Sequence, residues 1–221
     1  FWVCPILTIL GASSRGAQLA LAVQLVLMFR GSLLKIKPLI GIFILVFGLL
    51  TLLPQEQKDR FSSAGEDRTS QQRLLYWKHG RQMILDYPLT GVGFFNFIPY
   101  YEENHSDDML YPNAQLPHNI FIQVGTDAGM PLMICLLMLV VFCLLSAWKI
   151  ARNDRLGYSW RCIGAGLGYG VLGFFIAGQF VTVTYYPFLW IHLALLASLH
   201  NIIRVQDNPK TSAPSPNLKT P

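Results

Sequence analysis

Charge is what this sequence has least of. Only 13% of its 221 residues are Asp, Glu, Lys or Arg, against about 25% in an ordinary soluble domain. That shortage argues against a water-soluble domain. Cysteine is scarce too: Cys4, Cys135, Cys143 and Cys162 all lie in or at the ends of apolar runs, with no CxxC pair. A disulfide framework and a zinc site are therefore not expected, and the four read as buried free thiols. There is no Walker-type loop, no dinucleotide fingerprint and no long internal repeat. The chain opens on Phe-Trp without a basic leader, and reads as the C-terminal part of a longer protein rather than as a signal peptide.

What is abundant is apolar sequence in blocks. Segments 16–34, 38–54, 131–148, 163–182 and 187–203 each approach the roughly 20 residues needed to cross a bilayer. Residues 1–11 look like the end of another. The glycines at Gly164 and Gly168, and at Gly166 and Gly170, are spaced for close helix approach. Gln179 and His192 are polar groups in apolar stretches; the first could line a site and the second reads as a packing residue.

Basic residues orient the crossings. Arg30, Lys35 and Lys37 share one link, Lys149, Arg152, Arg155 and Arg161 a second, and Arg204, Lys210 and Lys219 the tail. These belong on the cytoplasmic side. The expected fold is an all-α polytopic transmembrane helix bundle with a long extracytoplasmic loop containing short amphipathic helices. Its parts are transmembrane helices in 1–54, the first truncated, a periplasmic loop over 55–117, transmembrane helices in 118–203, and a disordered cytoplasmic tail over 204–221. The loop holds nine of the twelve acids and six basic residues, and is the one polar region large enough to host chemistry.

Three stretches carry candidate site residues. In "GASSRGA", residues 11–17, Arg15 sits at the outer start of a helix that Ser13 or Ser14 can cap. A cation there opposes both the charge bias of membrane topology and the helix dipole. An anion would resolve the conflict; contact with lipid headgroups would do so equally. In "SQQRLLYWKHGRQMILDYPLTGVGFFNF", residues 70–97, Arg73, Trp77 and Arg81 recur every four residues. Leu74, Leu75, Met83, Ile84 and Leu85 supply the apolar part, so the stretch reads as an amphipathic helix on the outer surface. Pro88 ends it, and Gly91 and Gly93 form a flexible turn. Basic residues facing lipid phosphate would give the same spacing.

The third stretch is "LPHN", with His118 ahead of a helix that Asn119 can cap. A short helix is expected over 119–128, with Ile120, Phe121 and Val124 on one face, before Gly129 and Pro131 break the run. A helix N-terminus and partial burial both disfavour imidazolium, leaving the neutral form that a general base requires. On spacing alone an interfacial, hydrogen-bonded histidine fits better. The acidic run "YEENHSDD", residues 101–108, matches no metal-site geometry and reads as a solvated loop.

Two outer helix N-termini, two or three arginines and one histidine suggest a site for a doubly charged phosphate with a base nearby. With no nucleotide pool outside the membrane, such a phosphate is most simply lipid-linked. The order "SSRGA", then "RLLYWKHGRQMILDYPLTGVGFFNF", then "HN" followed by nine residues and Gly129, resembles the bacterial superfamily of O-antigen ligases, O-antigen polymerases and protein O-oligosaccharyltransferases. The resemblance covers roughly 11–145. It implies an inner-membrane glycosyltransferase, inverting, without metal or other cofactor. The active site would face the periplasm. The donor would be a glycan on undecaprenyl diphosphate, and the acceptor a glycan, lipid A-core or protein hydroxyl in the lipid bilayer's outer face, with no nucleic acid involved. Arg15, Arg73 and Arg81 would hold the diphosphate, supported by Trp77 and Asn119, and His118 would take the acceptor's proton. Two positions depart from the family pattern: Leu132 stands where ligases carry threonine, and Gly80 where alanine is frequent.

Two other classes compete. A transporter or flippase of anionic lipid-linked glycans predicts ionisable residues inside the crossing helices, and this chain has almost none. A metal-dependent lipid-linked glycosyltransferase would use Asp107 or Asp108 and lose activity with chelator.

Overall fold

A computed structural model describes residues 3–12, 14–33, 55, 58, 62 and 65–207. The predicted crossing segment 38–54 and most of the predicted disordered tail lie outside the described residues, as does Ser13. Every regular element described is helical. These are α1 (Val3–Gly11), α2 (Arg15–Leu33), α3 (Arg68–Asp86), α4 (Phe97–Asn104), a 3-10 turn at Ser106–Asp108, α5 (Ile120–Ala151), α6 (Tyr158–Ala177) and α7 (Pro187–Asp207). Three stretches, Ile120–Ala151, Tyr158–Ala177 and Pro187–Val205, are long and apolar enough to cross a membrane. The chain is an all-α polytopic membrane protein. Helix α2 has 19 residues, but Gln18, Gln24 and Arg30 dilute its apolar run, and it is not among the three.

Asp67 starts α3. Its backbone is extended, and its side chain accepts from Ser70 N, as a helix N-cap should. The helix ends at Asp86, two residues before Pro88, because proline disfavours helical geometry in the residue before it. The buried face of α3 is Gln72, Tyr76, His79, Gly80, Met83 and Ile84. Leu74 and Leu85, expected on the apolar side, are instead more than half exposed. The core that α3 joins is aromatic and comes from Phe97 and Tyr101, further along the chain. Tyr76 packs edge-on against Phe97 (ring centroids 5.7 Å) and Tyr101 (4.9 Å), an arrangement that ring quadrupoles favour. Burial pushes the Tyr101 hydroxyl up to about 12.

The acidic run is therefore not simply a solvated loop. Tyr101 is fully buried within α4. Glu102 accepts from Ala114 N at 2.8 Å. Asp108 binds His79 Nε2 at 2.6 Å. Residues 65–117 fold as an ordered layer with its own core.

Gly129 divides α5: its φ of 79° and ψ of 178° are not helical. The expected short helix therefore exists, with Ile120 and Val124 buried. The break is filled by the turn after α3. Met130 N donates to Pro88 O (2.8 Å) and Val92 N to Thr126 O (2.7 Å). A Cβ on Gly129 would stand 2.6 Å from the Leu89 carbonyl, and one on Gly91 would collide with Thr126 O. With φ of 64° at Gly91 and 106° at Gly93, this turn is a close backbone seam rather than a flexible joint.

The described residues form two compact units, one within Phe1–Met138 and Leu172–Tyr186, the other within Leu139–Val171 and Pro187–Pro221. In the second, Ile150, Leu199 and Ile203 make a core with Leu156 and Leu167. Its glycines allow close approach, as their spacing predicts. A Cβ would meet Ile150 at Gly164 (2.5 Å), Ala147 at Gly168 (2.7 Å) and the His192 ring at Gly170, whereas Gly166 faces open space. All four cysteines are free, but only Cys143 is buried; Cys4, Cys135 and Cys162 are exposed. The expectation of four buried thiols fails because an apolar residue on a membrane helix can face lipid as readily as protein.

Candidate functional site

The site lies in the first unit, where the starts of α2, α3 and α5 meet the segment after α6. Arg15 is the first residue of α2 and Asp67 the cap of α3. Asp67 Oδ1 accepts from Nη1 and Nη2 of Arg15, each at 3.2 Å, and Ser70 Oγ accepts from Nη2 at 3.2 Å. Ser70 chiefly, and then Arg15, hold the Asp67 carboxyl below its usual range. Arg73 lies one turn further along α3. Its Nε is buried without a hydrogen-bond partner, and it forms no ion pair among the described residues. Burial, and then the charge of Arg15, lower its proton affinity.

His118 is half-buried and adopts a left-handed φ of 51°, which a non-glycine residue rarely holds without support. The support is local. His118 N donates to Thr182 Oγ1 at 3.1 Å, and the ring Nε2 faces Gln115 Oε1 at 3.2 Å. With that oxygen accepting, the ring proton sits on Nε2 and Nδ1 is left as acceptor. Burial, then the nearby Arg73 charge, lower the imidazole's proton affinity. The expected neutral histidine is thus the favoured form, and Arg73 is one of the reasons.

Asn119 does what a cap requires. Its Oδ1 accepts from Phe121 N (3.0 Å) and Ile122 N (3.2 Å), while Nδ2 donates to Gln179 Oε1 (3.1 Å). Ile120 N donates to Gly178 O at 2.8 Å. Trp77 Nε1 donates to Pro117 O at 2.8 Å, tying α3 to the residue before the histidine. The Trp77 ring stands 6.4 Å from Phe180. Phe180 also fits against Gly16, where a Cβ would stand 2.9 Å from its ring. Arg15, Arg73, Trp77, His118 and Asn119 are therefore drawn together. Arg81 is exposed and stands about 12 Å further along α3 than Arg73, at 1.5 Å per residue. No contact joins it to the others among the described residues.

Four contributors were not singled out from sequence. Gln115 and Thr182 hold His118, and Asp67 holds Arg15. The fourth, Asp127, is buried on α5 and accepts from Phe95 N (3.2 Å) and Tyr185 OH (2.7 Å). Phe95 has a left-handed φ of 58°, so this carboxylate pins a strained turn. Asp127 was open to discovery, since an acid inside a crossing-length apolar run marks a functional or structural tie. The two departures from the family pattern also have places. Gly80 is closed off by Ile122, 2.5 Å from where its Cβ would be. Leu132 is half exposed.

Among the described residues, no three His, Cys, Asp or Glu side chains are grouped to hold a metal ion. No curated protein and no solved structure matches the chain. A family model described as O-antigen ligase matches residues 1–137. That span carries Arg15, Arg73, Trp77, His118, Asn119 and Asp127, the residues whose contacts define the site, and on it the chain belongs to the O-antigen ligase family.

Proposed function

We propose that this protein is a membrane glycosyltransferase that moves a glycan from undecaprenyl diphosphate to an acceptor hydroxyl at the periplasmic face of the bacterial inner membrane. The observation that carries this reading is the pairing of Arg73, whose buried Nε lacks a partner, with a half-buried His118 that Arg73 helps keep neutral. A diphosphate would satisfy the arginine, and the acceptor would lose its proton to the histidine. The basic links at 149–161 and after Ile203 support a cytoplasmic position for those segments, and so a periplasmic position for the site.

In the transfer step the acceptor oxygen attacks the anomeric carbon while the bond from that carbon to the diphosphate oxygen breaks. The acceptor's proton passes to His118. The electron pair leaves with the diphosphate, whose charge Arg15 and Arg73 stabilise. Displacement in one step inverts the anomeric carbon. No step calls for a metal. Trp77 and Asn119 act on the histidine through the chain on either side of it, and Arg81 would reach only an extended donor. The acceptor is a growing glycan, a lipid A-core or a protein.

The test is complementation of strains lacking O-antigen ligase, O-antigen polymerase or protein O-glycosylation activity, with surface glycan read beside protein abundance. The intact protein should restore one glycan. His118→Ala at equal abundance should lose it, by about 10²–10⁴-fold in rate. Full transfer by His118→Ala would remove the histidine from the chemistry.

A further inference from the structure

Of the two guanidiniums that the transfer reading assigns to the donor, that of Arg15 is already engaged by Asp67. We propose that Asp67 is a specificity-determining residue: its carboxylate holds Arg15 in the resting protein and yields it to a diphosphate but not to the monoanionic phosphodiester headgroups of surrounding lipid. This inference rests on the diphosphate reading of the site.

Three features support it. The first is geometry. The contacts from Arg15 to Asp67 are 3.2, 3.2 and 3.5 Å, longer than the ~2.8 Å of a tight charge-assisted bond. Both side chains keep over a quarter of their surface exposed, so the pair is easily exchanged. The second is that Asp67 does not depend on Arg15 for its place. Ser70 Oγ donates to Oδ1 at 2.7 Å and Ser70 N to Oδ2 at 3.1 Å. When Arg15 turns to another anion, the carboxylate keeps its role as the cap of α3.

The third is Arg73. It feels both Arg15 and Asp67 and has a buried, unpartnered Nε. A diphosphate carries charge on two phosphorus atoms and can engage Arg73 with one and Arg15 with the other. A phosphodiester has a single charge. If it settles on Arg73, it gains nothing from Arg15. If it competes for Arg15, it must displace a carboxylate of equal charge. Asp67 therefore sets a threshold that a lone arginine at a membrane surface would lack, since such an arginine would be covered by headgroups.

The experiment measures undecaprenyl diphosphate binding to the protein in nanodiscs of phosphatidylcholine, and again with increasing phosphatidylglycerol. Wild type should be nearly insensitive to phosphatidylglycerol. Asp67→Asn keeps a good cap but removes the charge, and should bind undecaprenyl diphosphate at least as well in phosphatidylcholine. With phosphatidylglycerol present its affinity should fall about tenfold, the loss of one charged hydrogen bond to a competitor. Asp67→Ser, a second neutral cap, should behave alike. If both variants ignore phosphatidylglycerol, or if either loses binding in pure phosphatidylcholine, Asp67 is not a selector. If wild type fails to bind undecaprenyl diphosphate at all, the diphosphate reading itself falls, and this inference with it.

Discussion

Two histidines on the same unit meet opposite surroundings. His79, buried on α3, has a carboxylate at 2.6 Å and a second imidazole, His105, stacked 4.0 Å away. His118 has an amide at 3.2 Å, a hydroxyl on its backbone N–H, and an arginine as its electrostatic neighbour. The carboxylate beside His79 holds that ring in place. An arginine discourages an imidazolium charge and leaves a lone pair for use. The contrast teaches that two histidines of one unit differ by their neighbours: at His118 burial first and the Arg73 charge second lower the imidazole's proton affinity, and the transfer reading gives Arg73 the donor's anion as well.

That contrast can be attacked at several strengths. The largest effect is expected from Arg73→Ala, which should lower kcat/KM by about 10²–10³-fold through loss of transition-state charge stabilisation. In the residual activity the acid limb should also move to higher pH, because imidazolium is no longer repelled. Arg73→Lys keeps the charge but not the fork; it should lose much of the rate while leaving that limb where it is. A rate loss in Arg73→Ala with an unmoved limb would separate the two roles.

The next effect is the wild-type pH profile. A base must be neutral to act, and burial and Arg73 both lower the His118 proton affinity. The neutral form therefore persists to lower pH than for an ordinary histidine. Log kcat/KM should rise with pH along a limb centred below about 6.5, the unperturbed value; a limb centred above that value would contradict the site's electrostatics. The smallest effect is expected at the other histidine. His79→Gln should leave transfer within about threefold, because the ring contacts Asp108, Tyr101 and His105 rather than Arg15, Arg73 or His118. A large loss there would mean that the loop layer, and not only His118, touches the reacting groups.

Much of the fold is legible in the sequence. Apolar runs fixed three crossing helices, Asn119 its cap and Gly129 its break. What escaped was inside versus outside. In water the burial of Leu74 would be the safe expectation, and Tyr76 would be the amphipathic one. Near a membrane an exposed leucine costs nothing, so hydrophobicity stops reporting direction. The true core needed partners at 97 and 101 to declare itself. The candidate site was legible in Arg15 and His118, each at the edge of an apolar run, and in the spacing of Arg73 and Trp77 four residues apart. Asp67 and Thr182 were not, because each acts on a residue that only the folded chain brings near: Asp67 and Arg15 are 52 residues apart, Thr182 and His118 64.

The seam at Gly129 has a consequence for how the sequence can change over time. The broken helix leaves Met130 N to be satisfied by Pro88 O, a bond that lipid could not replace. Residues 88–93 and 126–130 therefore form one unit of inheritance: a side chain gained at Gly91 or Gly129 cannot be absorbed on its own side. Descendants of this chain should be free to vary Leu132, which is half exposed, whereas Gly91 and Gly129 should stay glycine, because the atoms a Cβ would meet there are backbone that no side-chain change opposite can move.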